Sequence, residues 1–102
     1  MMVNQNSKTR MVGLKTAIII KAIINMSMKG FGEYVTIRMR NVMDELKVRD
    51  SDRKKYIAAF AIAIKLLEPC IVYKIGYRNN RKYVFKRECL WRLVDLTNDF
   101  GD

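Results

Sequence analysis

Apolar residues follow a helical period over the first third of the chain. From about Thr9 to Met28 the apolar positions form a stripe of isoleucines that is wider than one core face requires. Two interpretations fit this width: a central core helix, or a helix whose surplus face is buried against a second subunit. Gly30 and Gly32 follow the stripe, as glycine commonly does at a helix end. We therefore predict a long first helix, preceded by a mobile arm over residues 1–8.

A short strand and two more helices are predicted before the single proline. Glu33–Thr36 is rich in strand-forming residues, and the Thr36 side chain can cap a helix over Ile37–Leu46. After a polar turn, the helical period returns at Asp52 and continues until Pro69 stops it. These signals predict a second and a third helix joined by a turn.

The third predicted helix has two different faces. A helical wheel places large apolar residues on its buried side, namely Ile57, Phe60, Ile64 and Leu67. The opposite side carries one cation and three small or apolar residues, namely Lys55, Ala58, Ala59 and Ile62. That second side either approaches a ligand closely or packs against another helix or subunit.

The pattern changes to alternation after the proline, which predicts a β-hairpin over residues 71–87. A two-residue turn at Asn79-Asn80 would mix apolar and basic side chains on both faces. A three-residue turn pairs Tyr73 with Phe85 and collects the lysines on the other face, so we predict this register. It directs Cys70 and Cys89 to different faces, which favours two reduced thiols over a disulfide.

The hairpin aromatics and the end of the chain complete the pattern. Four aromatic residues interleave with cations, as in a platform that stacks single-stranded bases; they are Tyr73, Tyr77, Tyr83 and Phe85. Their alternation favours packing of this face on the helices instead. A last helix is predicted over about Glu88–Leu96, and an acidic tail occupies residues 97–102.

Composition narrows the possible functions. The 102 residues suffice for one domain, placed at residues 9–96, and they have a net charge of +10. Such an excess indicates a polyanionic partner, either nucleic acid or an anionic membrane surface. The absence of histidine excludes Ser-His and Cys-His catalysis, and two cysteines are too few for a four-cysteine zinc site. We predict no enzymatic activity, catalytic residue, cofactor, metal or small-molecule ligand.

Neither a secretory signal nor a membrane span is predicted. The apolar run at residues 17–26 is interrupted by Lys21 and is far shorter than the roughly 20 residues that a spanning helix needs. We therefore expect a cytoplasmic protein without membrane contact. It would be associated with the nucleoid, or located in the host cytoplasm if it is viral.

The positive charge is concentrated in one part of the chain. Residues 53–87 contain ten cations and one carboxylate, whereas residues 88–102 are acidic overall. The concentrated charge coincides with the third predicted helix and the hairpin. We expect this helix-hairpin unit to face the polyanion.

The order helix, strand, helix, turn, helix, hairpin, helix resembles a winged helix-turn-helix domain, from about Thr9 to Leu96. In size it is similar to small regulators of archaea and their viruses. The resemblance implies an α+β, mostly helical fold with a three-helix core, a hairpin wing and a C-terminal helix. It also implies a homodimer that binds duplex DNA and regulates transcription, with the third helix in the major groove and the wing at the minor groove or phosphates.

Matching this sequence to the elements of a winged helix by position gives the residues expected to contact DNA. The third helix offers Arg53, Lys54, Lys55, Ala58, Ala59 and Ile62, and the wing offers Arg78, Asn79, Asn80, Arg81 and Lys82. The wing residues match a tip that contacts phosphates or a narrow minor groove, although an ordinary solvated turn has the same composition. Arg38 and Arg40 either clamp phosphates or pair with Asp44 and Glu45 along the second helix.

A second hypothesis belongs to a different functional class. The apolar side of the third helix lacks the hydrogen-bonding groups that read base edges. A winged-helix module that docks its basic face on an acidic protein would also explain the sequence.

Overall fold

The structure is a computed structural model that describes residues 2–77 and 80–93. These residues form an α+β, mostly helical fold, as expected. The helices are α1 (Met2–Ser27), α2 (Met39–Glu45), α3 (Ile57–Leu66) and α4 (87–93), with 3₁₀ segments at Asp50–Tyr56 and Glu68–Cys70. The strands are β1 (Tyr34–Arg38), β2 (Ile71–Ile75) and β3 (Lys82–Lys86), in one antiparallel sheet of order β1-β3-β2.

The core lies between α1, α3 and one face of the sheet. Its fully buried large side chains come from every layer, and they include Ile19, Ile23, Ile37, Met43, Leu67, Phe85 and Leu90. The Phe60 ring of α3 contacts the Tyr83 ring of β3 edge to face, with centroids 5.8 Å apart. This contact fixes α3 against the sheet, so the helix and the hairpin form one unit.

The first helix is longer than predicted. It begins at Met2 rather than near Thr9, so it includes most of the segment expected to be an arm. It ends at Ser27, close to the predicted end, and Gly32 in the following loop has a positive φ of 106°. A residue with a Cβ would be strained in that conformation, which explains the glycine.

The second helix begins later than predicted. Ile37 lies in β1, fully buried opposite Tyr83, and Thr36 pairs with Val84 instead of capping a helix. The α2 helix starts after Arg38, whose backbone N–H donates to Asn41 Oδ1 at 3.1 Å. The predicted start was wrong because pairing with β3 extends the strand over residues whose apolar pattern also fits a helix.

The third helix differs from the prediction in its first half and in one face. Its basic start is a 3₁₀ segment, and α-helix begins only at Ile57, which is exposed. Ala59 is 1% exposed, so its placement on the outer side was wrong. The buried alanines Ala59 and Ala63 let α1 and α3 approach closely, and alanine fits such a position as easily as it fits solvent.

The hairpin has a different register from either turn considered. Tyr73 pairs with Val84 and Ile75 with Lys82, so residues 76–81 form the loop. Gly76 leaves β2 with a positive φ of 81°, which ends the strand earlier than alternation suggests. A bulge between Ile71 and Tyr73 shifts the pairing once more. Tyr73 and Tyr77 are consequently exposed rather than packed on the helices.

The two cysteines form a disulfide, contrary to the expectation of free thiols. Cys70 and Cys89 have Cα atoms 5.4 Å apart. Cys70 lies in the 3₁₀ turn before β2 and Cys89 lies in α4. Neither cysteine belongs to a strand, so strand alternation does not determine where their side chains point. The bond links the beginning of β2 to α4 beyond β3.

Two predicted segments lie wholly or partly outside the described residues. These are the predicted wing tip at Arg78 and Asn79, and residues 94–102, where the end of the last helix and the acidic tail are predicted. Within the part of the chain that the structure describes, no helix combines the length and apolar character required to cross a membrane.

Candidate nucleic-acid interface

Arg53 is partly buried, and acceptor groups of this chain engage its guanidinium. Its guanidinium contacts Asp44 at 2.8 Å and Asp50 at 3.2 Å, and its Nε also donates to the Val48 carbonyl at 3.3 Å. These contacts tie the 3₁₀ segment to α2 and to the turn between them. Arg53 therefore positions its neighbours.

Two other cations of the 3₁₀ segment are more accessible. Lys54 is exposed and has no ion-pair partner among the described residues, whereas Lys55 contacts Asp52 at 3.4 Å. On α3 the Ala58 and Ile62 side chains are exposed, and Ala59 is buried. The outer surface of this region thus combines a basic start with an apolar second half.

The described wing residues lie at the base of the hairpin loop. Arg81 Nε donates to the Gly76 carbonyl at 3.3 Å, which closes the loop across its ends. Asn80 and Lys82 are exposed. Lys82 lies directly opposite Arg38 in the sheet, so the wing and the N-terminal side of α2 share one patch of positive charge.

The structure distinguishes between the two interpretations of Arg38 and Arg40, which are phosphate contact and ion pairing along α2. Asp44 binds Arg53, and Glu45 binds Lys29 at 2.6 Å. The carboxylates of α2 are therefore engaged with cations from outside the helix. Within residues 2–77 and 80–93, neither Arg38 nor Arg40 forms an ion pair, which leaves both available for phosphates.

A basic pocket next to the 3₁₀ segment was not predicted. It has a volume of about 340 Å³, lies beside the turn after α2, and is lined by Lys15, Leu46, Lys47, Val48, Arg49, Asp52, Lys55 and Tyr56. Lys15 Nζ lies 5.6 Å from the centre of the Tyr56 ring, a cation–π contact that bridges α1 to the pocket. Four cations against one carboxylate suit a phosphate group.

Sequence reasoning missed Lys47 and Arg49 because they lie in a polar turn, where charged residues are ordinary. Lys47 has a positive φ of 57°, which is uncommon for a residue with a side chain. The usable signal was the pair of cations in the turn immediately before the third helix. A turn of that kind brings its side chains close to the start of the next helix.

The arrangement offers positive charge for binding an anion. In the described residues no group of histidine, cysteine or carboxylate side chains is placed to hold a metal ion. The site consists of fixed positive charges on α2, the turn, the 3₁₀ segment and the hairpin. No protein-family model, curated protein or solved structure matches this chain.

Proposed function

We propose that the chain is a winged helix-turn-helix protein that binds duplex DNA and regulates transcription. The order of helices and strands agrees with that resemblance, and β1 joins the hairpin in one sheet. The wing is thereby anchored to the helical core at its base. Dimerisation, which the sequence predicts, belongs to the same proposal.

The observation that carries this proposal is which cations near the site have a carboxylate partner and which have none. Acidic side chains near the site bind Lys29, Arg53 and Lys55. In the described part of the chain, other exposed cations near the site have no carboxylate partner, namely Arg40, Lys47, Arg49 and Lys54. Uncompensated like charges repel one another, and a polyanion relieves that repulsion.

Binding is expected to depend more on phosphates than on base sequence. Ala58 and Ile62, on the exposed side of α3, have no hydrogen-bonding side-chain atoms, so they form no bidentate contacts with base edges. Phosphate contacts fix the position of a protein on the duplex without reading its sequence. We therefore propose strong salt dependence and weak sequence preference.

Two triple variants with the same net charge test this interface. The first is Lys47→Gln, Arg49→Gln and Lys54→Gln, which removes unpaired cations. The control is Lys29→Gln, Lys74→Gln and Arg92→Gln, which removes cations already bound to carboxylates. The first should reduce the slope of log affinity against log salt by about 2–3, and the control should barely change it. Equal effects would contradict the proposed interface.

An apolar groove favours a second candidate function, a protein-interaction module. The groove, of about 620 Å³, lies between α1 and α3 and includes Val12, Ala17, Ile20, Ile62 and Leu66 in its lining. Neither helix contains a carboxylate, and both carry lysines. This chemistry fits a partner helix with an apolar face flanked by acidic residues.

A synthetic amphipathic helix of leucine and glutamate is a suitable probe for the groove. It should bind the native chain, and Ile62→Arg should abolish that binding while Lys54→Gln leaves it unchanged. Sedimentation of the chain without the peptide measures its oligomeric state and can contradict this candidate function. If Ile62→Arg converts a dimer into a monomer, a second copy occupies the groove and the module hypothesis is wrong.

A further inference from the structure

The sheet has an outer face that the helices do not cover. Partners across antiparallel strands project to the same face, so the register places Tyr34 beside Lys86, Arg38 beside Lys82, and Tyr73 beside Val84. The other face carries Ile37, Tyr83 and Phe85, which pack in the core. The first set therefore points away from the core.

Two tyrosines are exposed on this outer sheet face. Tyr34 is 49% exposed and Tyr73 is 55% exposed, on the two edge strands. Val84 on the central strand is buried although it points outward. Given the spacing of strands and of residues along them, the two tyrosine Cα atoms are about 12 Å apart. At that separation the two rings are too far apart to stack on the same base.

All the charged side chains on the outer sheet face are positive. None of the three strands contains a carboxylate. Arg38, Lys82 and Lys86 have no ion-pair partner within the residues described. Exposed aromatic rings with unpaired cations on the same face are the combination that binds single-stranded nucleic acids: the rings stack bases and the cations follow the phosphates.

We propose that the outer sheet face binds single-stranded DNA or RNA, with Tyr34 and Tyr73 as stacking platforms and Arg38, Lys82 and Lys86 as phosphate contacts. This activity goes beyond the proposed duplex binding, because bases inside a duplex have no free face to stack on a side chain. It uses Tyr34, Tyr73 and Lys86, which have no part in the duplex interface.

The test measures binding of a labelled oligo(dT) of about 12 nucleotides and of a duplex by fluorescence anisotropy. Tyr34→Ala and Tyr73→Ala should each weaken oligo(dT) binding by about 5- to 150-fold. Tyr34→Phe and Tyr73→Phe should retain it, because the ring remains. Phe31→Ala, which removes a fully exposed aromatic side chain outside the sheet, should change nothing.

Three outcomes would overturn the proposal. The first is unchanged oligo(dT) affinity in the Tyr34→Ala, Tyr73→Ala double variant. The second is an equal loss of duplex affinity in that variant, which would make the face part of the duplex interface. The third is a native dimer that this variant converts into a monomer, which would make the face a subunit contact. A native chain that binds oligo(dT) but does not bind the duplex would instead contradict only the proposed function.

Discussion

Arg87 is a cation used inside the protein. It is 7% exposed, and its guanidinium donates to the carbonyls of Ser27 at the end of α1 and Tyr34 at the start of β1. A Cβ at Gly30 would lie 2.8 Å from its Nη2 atom, so the glycine provides space for it. By sequence alone Arg87 counts as a surface charge, because arginine is rarely buried.

Replacing Arg87 should therefore affect stability. Arg87→Ala leaves the buried Ser27 carbonyl without this charged donor, and we expect the free energy of unfolding to fall by about 2–3 kcal/mol. Arg92→Ala is the control, because Arg92 is exposed and pairs with Glu88 along α4. Urea denaturation measures both. Similar losses for the two variants would contradict the structural role of Arg87.

Adjacent alanines on α3 test which side of that helix faces the core. Ala59→Leu should destabilise the protein by about 1–3 kcal/mol, because Ala59 is 1% exposed in the core and a larger side chain overpacks a buried site. Ala58→Leu should stay within about 0.5 kcal/mol of the native protein, because Ala58 is exposed. Thermal unfolding of the two variants compares them. The reverse ranking would refute the orientation of α3.

At the scale of elements, the order of helices and strands was largely predictable, but the starts of three helices and the strand register were not. Strong helical and alternating periods mark α1, α3 and the hairpin. Ile37 satisfies either period, and only pairing with Tyr83 of β3 assigns it to a strand. The register depends on Gly76 and on the bulge near Ile71, which alternation alone does not reveal.

The disulfide links two cysteines whose side chains the predicted strand register directs to different faces. Cys70 and Cys89 are 19 residues apart, and closing a loop of this length restricts the unfolded chain. We expect reduction to lower the free energy of unfolding by about 3 kcal/mol. Urea midpoints with and without reductant measure the difference.

A Cys70→Ser, Cys89→Ser double variant is the control for this experiment. It should unfold at the midpoint of the reduced native chain and show no response to reductant. A reductant effect of similar size in the double variant would show that the disulfide is not its cause.

At the scale of the whole molecule, the position of the charge matters more than its total. The sequence concentrates cations between residues 53 and 87, but the structure assigns two of them, Arg53 and Arg87, to internal contacts. It adds Lys47 and Arg49 from the preceding turn, beside the basic pocket. The sequence alone could not reveal which cations are engaged internally, because that depends on which carboxylates and backbone carbonyls the fold brings close to them.

The salt dependence of duplex binding tests the central claim most directly. If a dimer makes 6–10 phosphate contacts, its affinity for a random-sequence duplex should fall about 10³–10⁵-fold between about 50 and 200 mM salt. The logarithm of affinity should decrease linearly with the logarithm of salt concentration. A flat titration, or no binding at the lowest salt concentration, would contradict a duplex-binding function for this chain.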